Sequence, residues 1–210
     1  MIPVKVLAVR YLTSAPEMLC KALGAPKGYP CLGLLTTDSD DPTYIALDEA
    51  TKAAQVQVCY SRSFYAGAAN ASTPNAGEVI GILAGKTPGA VRSGMAAALS
   101  ALQQIGFSEV SGVPYLAHTI SRSGACLAKE ASVPEGTPLA YLIAPPLESM
   151  YAMDAALKAA DVKLCKLYAP PSETNFGGGL LSGTQSACQA ACDAFAKAVA
   201  KVAANPQNRE

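Results

Sequence analysis

The 210-residue chain contains one pattern twice, and this internal repeat limits the folds open to it more than any other feature. Residues 26–30 (PKGYP) recur as residues 134–138 (PEGTP), an offset of 108. Residues 48–59 then match residues 154–165 at an offset of 106, with seven of the twelve positions identical. Shared helix composition explains some alanine and lysine matches but not the recurring PxGxP pattern. We therefore predict a tandem duplication with halves at 1–108 and 109–210.

Each half shows the same predicted order of elements: strand, short helix or turn, buried strand, helix, strand, loop, strand and long helix. The predicted strands are Val4–Leu12, Cys31–Thr36, Val56–Tyr60, Val79–Leu83, Tyr115–Ile120, Leu139–Ala144, Val162–Tyr168 and one near Leu180–Leu181. This order indicates a small α/β sandwich, present twice, with helices on one face of each mostly antiparallel sheet.

Capping residues and apolar stripes predict where the helices begin and which faces they bury. Ser14–Glu17 has the pattern of a capping box, Pro42 suits a first helical turn, and Thr87 and Thr184 are predicted N-caps. Apolar stripes at helical spacing predict the buried faces. These stripes are Met150, Met153, Leu157 and Ala160; Val91, Met95, Ala98 and Leu102; and Cys188, Cys192, Phe195, Val199 and Val202.

Composition excludes several classes of protein. Hydrophobic residues make up 50% of the chain and charged residues only 15%, which is incompatible with disorder. The formal net charge is zero, so a generic nucleic-acid binder is excluded. The most apolar run, Leu139–Leu147, contains two prolines and is too short to span a membrane. We find no signal peptide and expect a cytoplasmic protein whose weakly charged surface packs against copies of itself.

Residues typical of catalysis are scarce. His118 is the only histidine and lies in an apolar strand, where a structural role is the more common one. The run Gly178–Thr184 has the glycines of a phosphate loop but lacks its lysine, so a strand leading into a helix cap is the better interpretation. The seven cysteines are an odd number without a CxxC pattern, and we interpret them as small core residues.

Two acidic features remain as candidates for function. Asp38, Asp40 and Asp41 follow a buried strand and precede a helix, where acidic residues also simply favour the helix dipole. Glu78 begins a strand after a long loop, and a solvated loop carboxylate is the plainer interpretation of it. The residues alone leave both alternatives open for each feature.

Two long loops, residues 65–77 and 169–179, occupy equivalent places in the two halves and are rich in glycine, proline and small polar residues. Loops of this length inside a compact fold are usually functional or mobile. A pore or gate is one use, and a flexible surface connection is the alternative. The candidate pore or gate residues are Tyr65, Gly67, Asn70, Gly77, Pro171, Ser172, Gly177 and Gly178.

Several long runs resemble the shell proteins of the ethanolamine-utilisation bacterial microcompartment that carry tandem BMC domains. The runs are residues 34–46, 48–52, 62–69, 144–148 and 170–175, and the similarity covers nearly the whole chain. The resemblance implies two circularly permuted BMC domains with ferredoxin-like antiparallel sheets. It also implies a pseudo-hexameric homotrimer that makes lateral contacts with other BMC shell proteins in the shell layer. Such proteins are not enzymes and have a gated central pore.

The resemblance also implies small pores that bind ethanolamine and favour the closed state of the central pore. Carried over by position, the ethanolamine-binding residues would be Asp40, Asp41, Glu78, Phe107, Thr174, Asn175 and Phe176. Carboxylates and aromatic faces suit a small ammonium ion. Cobalamin is implied as a further bound ligand, without a catalytic role. Glu148 matches an acidic position that takes zinc in relatives, and a structural carboxylate is the alternative for it.

Two other functions remain as alternatives to a shell tile. One is a small-molecule enzyme, such as a transferase, that uses the acidic run. The other is a soluble module that binds cobalamin or an amine and never joins a shell. Assembly into sheets or trimers without turnover separates the tile from the enzyme, and hexagonal arrays in electron micrographs separate it from the module.

Overall fold

A computed structural model describes residues 1–64, 78–170 and 175–207 of the chain. Its strands are β1 (Val6–Leu12), β2 (Cys31–Thr37), β3 (Val56–Phe64), β4 (Glu78–Gly85), β5 (Ser108–Val110), β6 (Val113–Ile120), β7 (Leu139–Ala144), β8 (Val162–Tyr168) and β9 (Gly177–Gly183). Its helices are α1 (Glu17–Ala22), α2 (Asp40–Ala53), α3 (Pro88–Ala101), α4 (Ala125–Ala131), α5 (Pro146–Ala159) and α6 (Gln185–Ala204).

The strands form two sheets, in the orders β1-β2-β4-β3 and β5-β6-β7-β9-β8, and every neighbouring pair is antiparallel. The predicted α/β class with two antiparallel sheets is confirmed. The sequence pattern predicts no strand at β5, which forms a tight hairpin with β6. Ser111 and Gly112 make this turn with φ values of 50° and 80°, as a hairpin turn of this length requires.

Local details repeat in the two halves. The β3–β4 ladder has a bulge between Val58 and Tyr60, and the β8–β9 ladder has one between Leu164 and Lys166, at the offset of 106. Gly28 and Gly136 both have a positive φ in the PxGxP turns. Because bulges are specific features and not defects, their recurrence at matched positions supports the duplication inferred from the sequence.

By its contacts the chain divides into two compact units. The first unit is Pro3–Ile105 with Gly124–Leu127, and the second is Met1–Ile2 with Gly106–Ser123 and Ala128–Glu210. Neither unit is therefore continuous in sequence. The boundary of the repeat at 108/109 stays a prediction, since the units are defined by contacts and not by similarity.

In the first unit, α2 and α3 cover one face of the sheet. The predicted stripe of α3 is confirmed: Val91, Met95, Ala98 and Leu102 are all buried in one cluster with Leu35 and Leu83. The other face is covered as well, since Cys20 of α1 lies in a cluster with Leu32, Ile82 and Ala84. Each fully buried leucine contributes about 1.5–3 kcal/mol to stability.

In the second unit, α5 and α6 pack on β7 and β9. The predicted stripe of α6 is confirmed, because Cys188, Cys192, Phe195, Val199 and Val202 are buried. The predicted stripe of α5 is partly wrong, since Leu157 is exposed. The buried face of α5 is instead Ser149, Ala152, Met153 and Ala156, whose mostly small side chains let the helix lie close to its neighbours.

The capping predictions are confirmed for the two long helices. Thr87 accepts a hydrogen bond from Ala90 N, and Thr184 accepts one from Ala187 N, both at 3.2 Å. The capping box at Ser14–Glu17 is wrong. Helix α1 begins at Glu17, after Pro16, without a side-chain cap, so Glu17 is the first helical residue and not the third, as a capping box requires.

Candidate functional site

The acidic run directly follows β2, as the sequence predicts, and extends into the start of α2. Asp40 and Asp41 form the first turn of α2, and both are buried. Their position at the positive end of the helix dipole stabilises negative charge. Burial has the opposite effect and makes the ionised form costly.

Strand register brings Glu78 to the same end of the first sheet. Thr37, the last residue of β2, pairs with Val79, and Glu78 pairs with Phe64 at the end of β3. The acidic run begins directly after Thr37. Asp40 and Glu78, which are 38 positions apart in sequence, therefore lie at the same end of the sheet. Glu78 is half-buried there.

Asp40 is held by neutral donors. Ser63 Oγ donates to Asp40 Oδ2 at 2.7 Å, and Asp41 N donates to Asp40 Oδ1 at 2.9 Å. Burial raises the pKa of Asp40, and these hydrogen bonds oppose the rise. Within the described residues, no Lys, Arg or His forms an ion pair with Asp40. A buried carboxylate of this kind favours a cationic ligand.

A hydroxyl network lies beside Asp40. Thr37 Oγ1 and Thr43 Oγ1 are 2.7 Å apart, and Thr43 Oγ1 also donates to the carbonyl oxygen of Ser39 at 2.7 Å. The side-chain oxygen of Ser39 is buried and has no hydrogen-bond partner among the described residues. A buried hydroxyl without a partner is unusual in a folded protein, so this one is available to a small polar ligand.

The aromatic candidates meet in the second unit. Phe107 is buried, and its ring lies edge-on to that of Phe176, with centroids 5.8 Å apart and an interplanar angle of 65°. Phe176 is half-buried, whereas Asn175 is exposed and has a φ of 65°. Thr174 falls outside the described residues. Asp40, Asp41 and Glu78 belong to the first unit, so the predicted ligand residues are divided between the two units.

Most of the predicted pore or gate residues fall outside the described residues. These are Tyr65, Gly67, Asn70, Gly77, Pro171 and Ser172. Gly177 and Gly178 are described, and their assignment to a loop is wrong because β9 begins at Gly177. Gly178 has a φ of 151°, and a Cβ at this position would overlap the carbonyl oxygen of Leu142. The glycines thus allow close strand pairing.

Residues 1–64, 78–170 and 175–207 contain no candidate metal site and no candidate membrane-spanning helix. No group of three or more His, Cys, Asp and Glu side chains could hold a metal ion there. Glu148, in the first turn of α5, therefore has no such group of metal-binding side chains around it in the described part of the chain. No described helix is long and apolar enough to cross a bilayer.

The cysteines are free thiols, and all seven lie in described parts of the chain. Burial raises the pKa of Cys59 and of Cys192 to about 11. Thiols with such a pKa carry little thiolate near neutral pH and are weak nucleophiles. The prediction of buried core residues holds for Cys20, Cys31, Cys188 and Cys192, and the other three are half-buried.

Asp48, for which the sequence predicts no role, is a buried acid with specific partners. Its Oδ2 accepts from Gly124 N at 2.6 Å and its Oδ1 from Leu127 N at 2.9 Å. Lys52 Nζ lies 3.9 Å from Oδ2. Burial raises the pKa of Asp48 in spite of these hydrogen bonds. The sequence feature that could have drawn attention to Asp48 is the repeat, in which Asp48 is one of the identical positions.

Comparisons with known proteins agree in one family. The BMC domain family matches residues 31–114. The shell protein EutL of Clostridium perfringens (strain 13 / Type A) is 56% identical over 96% of this chain and 94% of its own length. EutL of Escherichia coli (strain K12) is 46% identical over 97% and 95%. The crystal structure of EutL from Leptotrichia buccalis C-1013-b is 58% identical, covers 99% of this chain and 97% of its own, and superposes with a TM-score of 0.93.

These relatives are named for a structural role and not for a reaction. Their similarity extends over both repeats and both sheets, and confirms the tandem BMC fold that the sequence predicts. The chain therefore belongs to the EutL family of bacterial microcompartment shell proteins, which carry BMC domains and serve ethanolamine utilisation.

Proposed function

We propose that this shell protein forms a trimeric tile with a gated central pore and smaller sites that bind ethanolamine. The observation that carries the ligand proposal is the buried carboxylate of Asp40, which has neutral donors but no cationic partner among the described residues. A protonated amine supplies the missing positive charge. Its hydroxyl suits the buried Ser39 side chain, which has no partner among the described residues.

Other residues of the proposed site supply further contacts for the ammonium group. Glu78 stands at the same sheet end as Asp40 and adds a second carboxylate for the ammonium group. Phe176 offers a partly exposed ring for a cation–π contact, and Phe107 supports that ring from the core.

Ethanolamine binding regulates the pore by a population shift in this proposal. A ligand that binds the closed state more tightly than the open state lowers the open fraction. The size of this effect is set by the difference between its binding free energies for the two states. The predicted gate loops are residues 65–77, which directly precede β4, and residues 169–179, which include Phe176. In sequence, Glu78 therefore directly follows the first loop, and Phe176 lies within the second.

Calorimetry tests the ligand site. We expect ethanolamine to bind the wild type and to bind Asp40→Asn and Glu78→Gln at least several-fold more weakly, with thermal unfolding little changed. The control is Asp193→Asn, an exposed carboxylate on α6. Unchanged affinity in both site variants would refute the assignment.

Electron microscopy tests the tile. We expect the purified protein to form trimers that assemble into hexagonal arrays, as a shell layer in the bacterial cytoplasm with lateral contacts to other BMC proteins requires. A protein that stays monomeric and never forms arrays would favour the alternative of a soluble amine- or cobalamin-binding module. Cobalamin binding stays a prediction, for equilibrium dialysis to test, and none of the described residues is assigned to it.

A further inference from the structure

Residues 1 and 2 belong by their contacts to the second unit, although Pro3, the next residue, belongs to the first. Ile2 N donates a hydrogen bond to the carbonyl oxygen of Phe107 at 2.6 Å, directly before β5 begins. Ile2 is half-buried, whereas Met1 is exposed. We call Met1–Ile2 the strap, since it is a surface segment that binds the backbone next to β5.

Gly106 accommodates the strap. A Cβ atom at position 106 would overlap the carbonyl oxygen of Ile2 and would lie 3.1 Å from Cγ of Met1, and the strap supplies the three atoms nearest to it. Gly106 does not have the positive φ that would itself require glycine. The close approach of the strap therefore explains why this position has no side chain.

Phe107 connects the strap to the proposed ligand site. Its side chain is buried, and its ring meets that of Phe176 edge-on, with the two centroids 5.8 Å apart. An aromatic pair of this kind has a preferred geometry, so a movement of Phe107 changes the surroundings of the Phe176 ring. The strap therefore acts on Phe176 through the contact between the rings.

The backbone beside Phe176 is held separately, by α5. A Cβ atom at Gly177 would lie 2.7 Å from Ser149 Oγ, so β9 starts in close contact with this helix. Ser149 is fully buried, and its hydroxyl donates to the carbonyl oxygen of Pro146 at 2.9 Å. Release of the strap should therefore change the orientation of the Phe176 ring more than the position of its backbone.

We propose that the strap positions the ring of Phe176 for the ammonium group of the ligand, through Gly106 and Phe107. A cation–π contact requires the cation over the ring face, within about 6 Å of the centroid, so it depends on ring orientation. Ile2 is thus a positioning residue that acts through Phe107. A surface segment opens more easily than the core, so opening of the strap lowers the affinity without unfolding the chain. The inference rests on the proposed function, which assigns Phe176 to the ethanolamine site.

Calorimetry on the full chain tests the inference with two variants that displace the strap. Gly106→Ala adds the Cβ atom that overlaps Ile2, and Ile2→Asn places an amide where an apolar side chain is half-buried. We expect each variant to weaken ethanolamine binding by about two- to tenfold, the range that one aromatic contact supports. The matched controls are Gly89→Ala, where a Cβ meets nothing within 4 Å, and Ile2→Leu. Both controls should bind like the wild type.

The double variant, with Gly106→Ala and Ile2→Asn together, shows whether the two changes share one cause. Because both release the same strap, the double variant should bind no more weakly than the weaker of the two single variants. Losses of affinity that multiply would contradict a common action through the strap.

A fluorescence measurement separates positioning of the ring from general stability. The chain contains no tryptophan, so Phe176→Trp introduces a single reporter at the ring. In that background, without ligand, we expect Gly106→Ala to shift the emission maximum at unchanged circular dichroism and Gly89→Ala to leave it in place. An emission that Gly106→Ala does not change, or strap variants with full ethanolamine affinity, would overturn the inference. A wild type that fails to bind ethanolamine, together with a shifted emission, would refute the proposed function and support the action of the strap on the ring.

Discussion

Ser63 donates a hydrogen bond of 2.7 Å to the carboxylate of Asp40 and so ties the end of β3 to the first turn of α2. The bond favours the ionised form of Asp40, whereas burial, the larger effect, raises the pKa of this group. The bond from Ser63 therefore offsets part of the cost of desolvating the charge that an ammonium ion needs, but not all of it.

The affinity for ethanolamine should fall on acidification earlier than an exposed aspartate would predict. Since the pKa of Asp40 is raised, the carboxylate becomes protonated, and loses its attraction for the cation, at a pH above the ordinary range. Ser63→Ala removes a bond to the charged form and should move the decline to a still higher pH. Calorimetry over a series of pH values measures this, with Ser61→Ala on the same strand as the control. Coincident profiles for the wild type and Ser63→Ala would contradict the prediction.

Substitutions at Phe107 and Phe176 should affect protein stability and ethanolamine binding to different extents. Phe107→Ala empties a buried site and should lower the free energy of unfolding by about 3–5 kcal/mol. Phe176→Leu keeps apolar bulk at a half-buried position but removes the ring face, so it should cost less than about 1.5 kcal/mol. It should nevertheless weaken ethanolamine binding several-fold. Urea unfolding and calorimetry measure the two effects, and a Phe176→Leu variant with full affinity would exclude the cation–π contact.

Removing the Asp48 carboxylate should be strongly destabilising. Asp48→Ala leaves the buried N–H groups of Gly124 and Leu127 without acceptors, at a cost of about 1–3 kcal/mol each. Thermal or urea unfolding measures the loss. Asp193→Ala, on the exposed face of α6, is the matched control and should change stability by about 0.5 kcal/mol or less. Equal losses in both variants would show that the buried contact contributes little.

Two glycine-to-alanine changes should act in opposite directions. At Gly178 the backbone has a φ of 151° and a Cβ would overlap the carbonyl of Leu142, so Gly178→Ala should cost about 3 kcal/mol or more, or prevent folding. At Gly89, in the first turn of α3, a Cβ meets nothing within 4 Å. Gly89→Ala should therefore raise stability, by about 0.5–1 kcal/mol. The melting temperatures of the two variants decide between these outcomes.

The sequence predicts the regular parts of this fold well, because they depend on local patterns. Strand β7 and the capping by Thr87 and Thr184 follow from apolar runs and capping residues, and the structure confirms all three. The stripe on α5 was misassigned because Leu157 has the right spacing for a buried face but lies on a surface left open. An exposed apolar side chain is indistinguishable from a core residue in a sequence pattern.

The candidate site shows the same limit for contacts between distant residues. The acidic run before α2 is visible locally, but its proximity to Glu78 depends on the register of β2, β3 and β4. The bond from Ser63 to Asp40 and the burial of Asp48 depend on tertiary packing. Gly177 and Gly178 look like loop residues because glycine is common in loops, whereas here they permit close approach of paired strands.

The discontinuity of the two units has a consequence for how the chain is made on the ribosome. The first unit lacks the donors for Asp48 until residue 127 has emerged, although most of its sequence is synthesised much earlier. The second unit needs Ile2 to pair with Phe107, which follows it by 105 positions in the sequence. Translation therefore cannot release a finished first unit before synthesis of the second has begun.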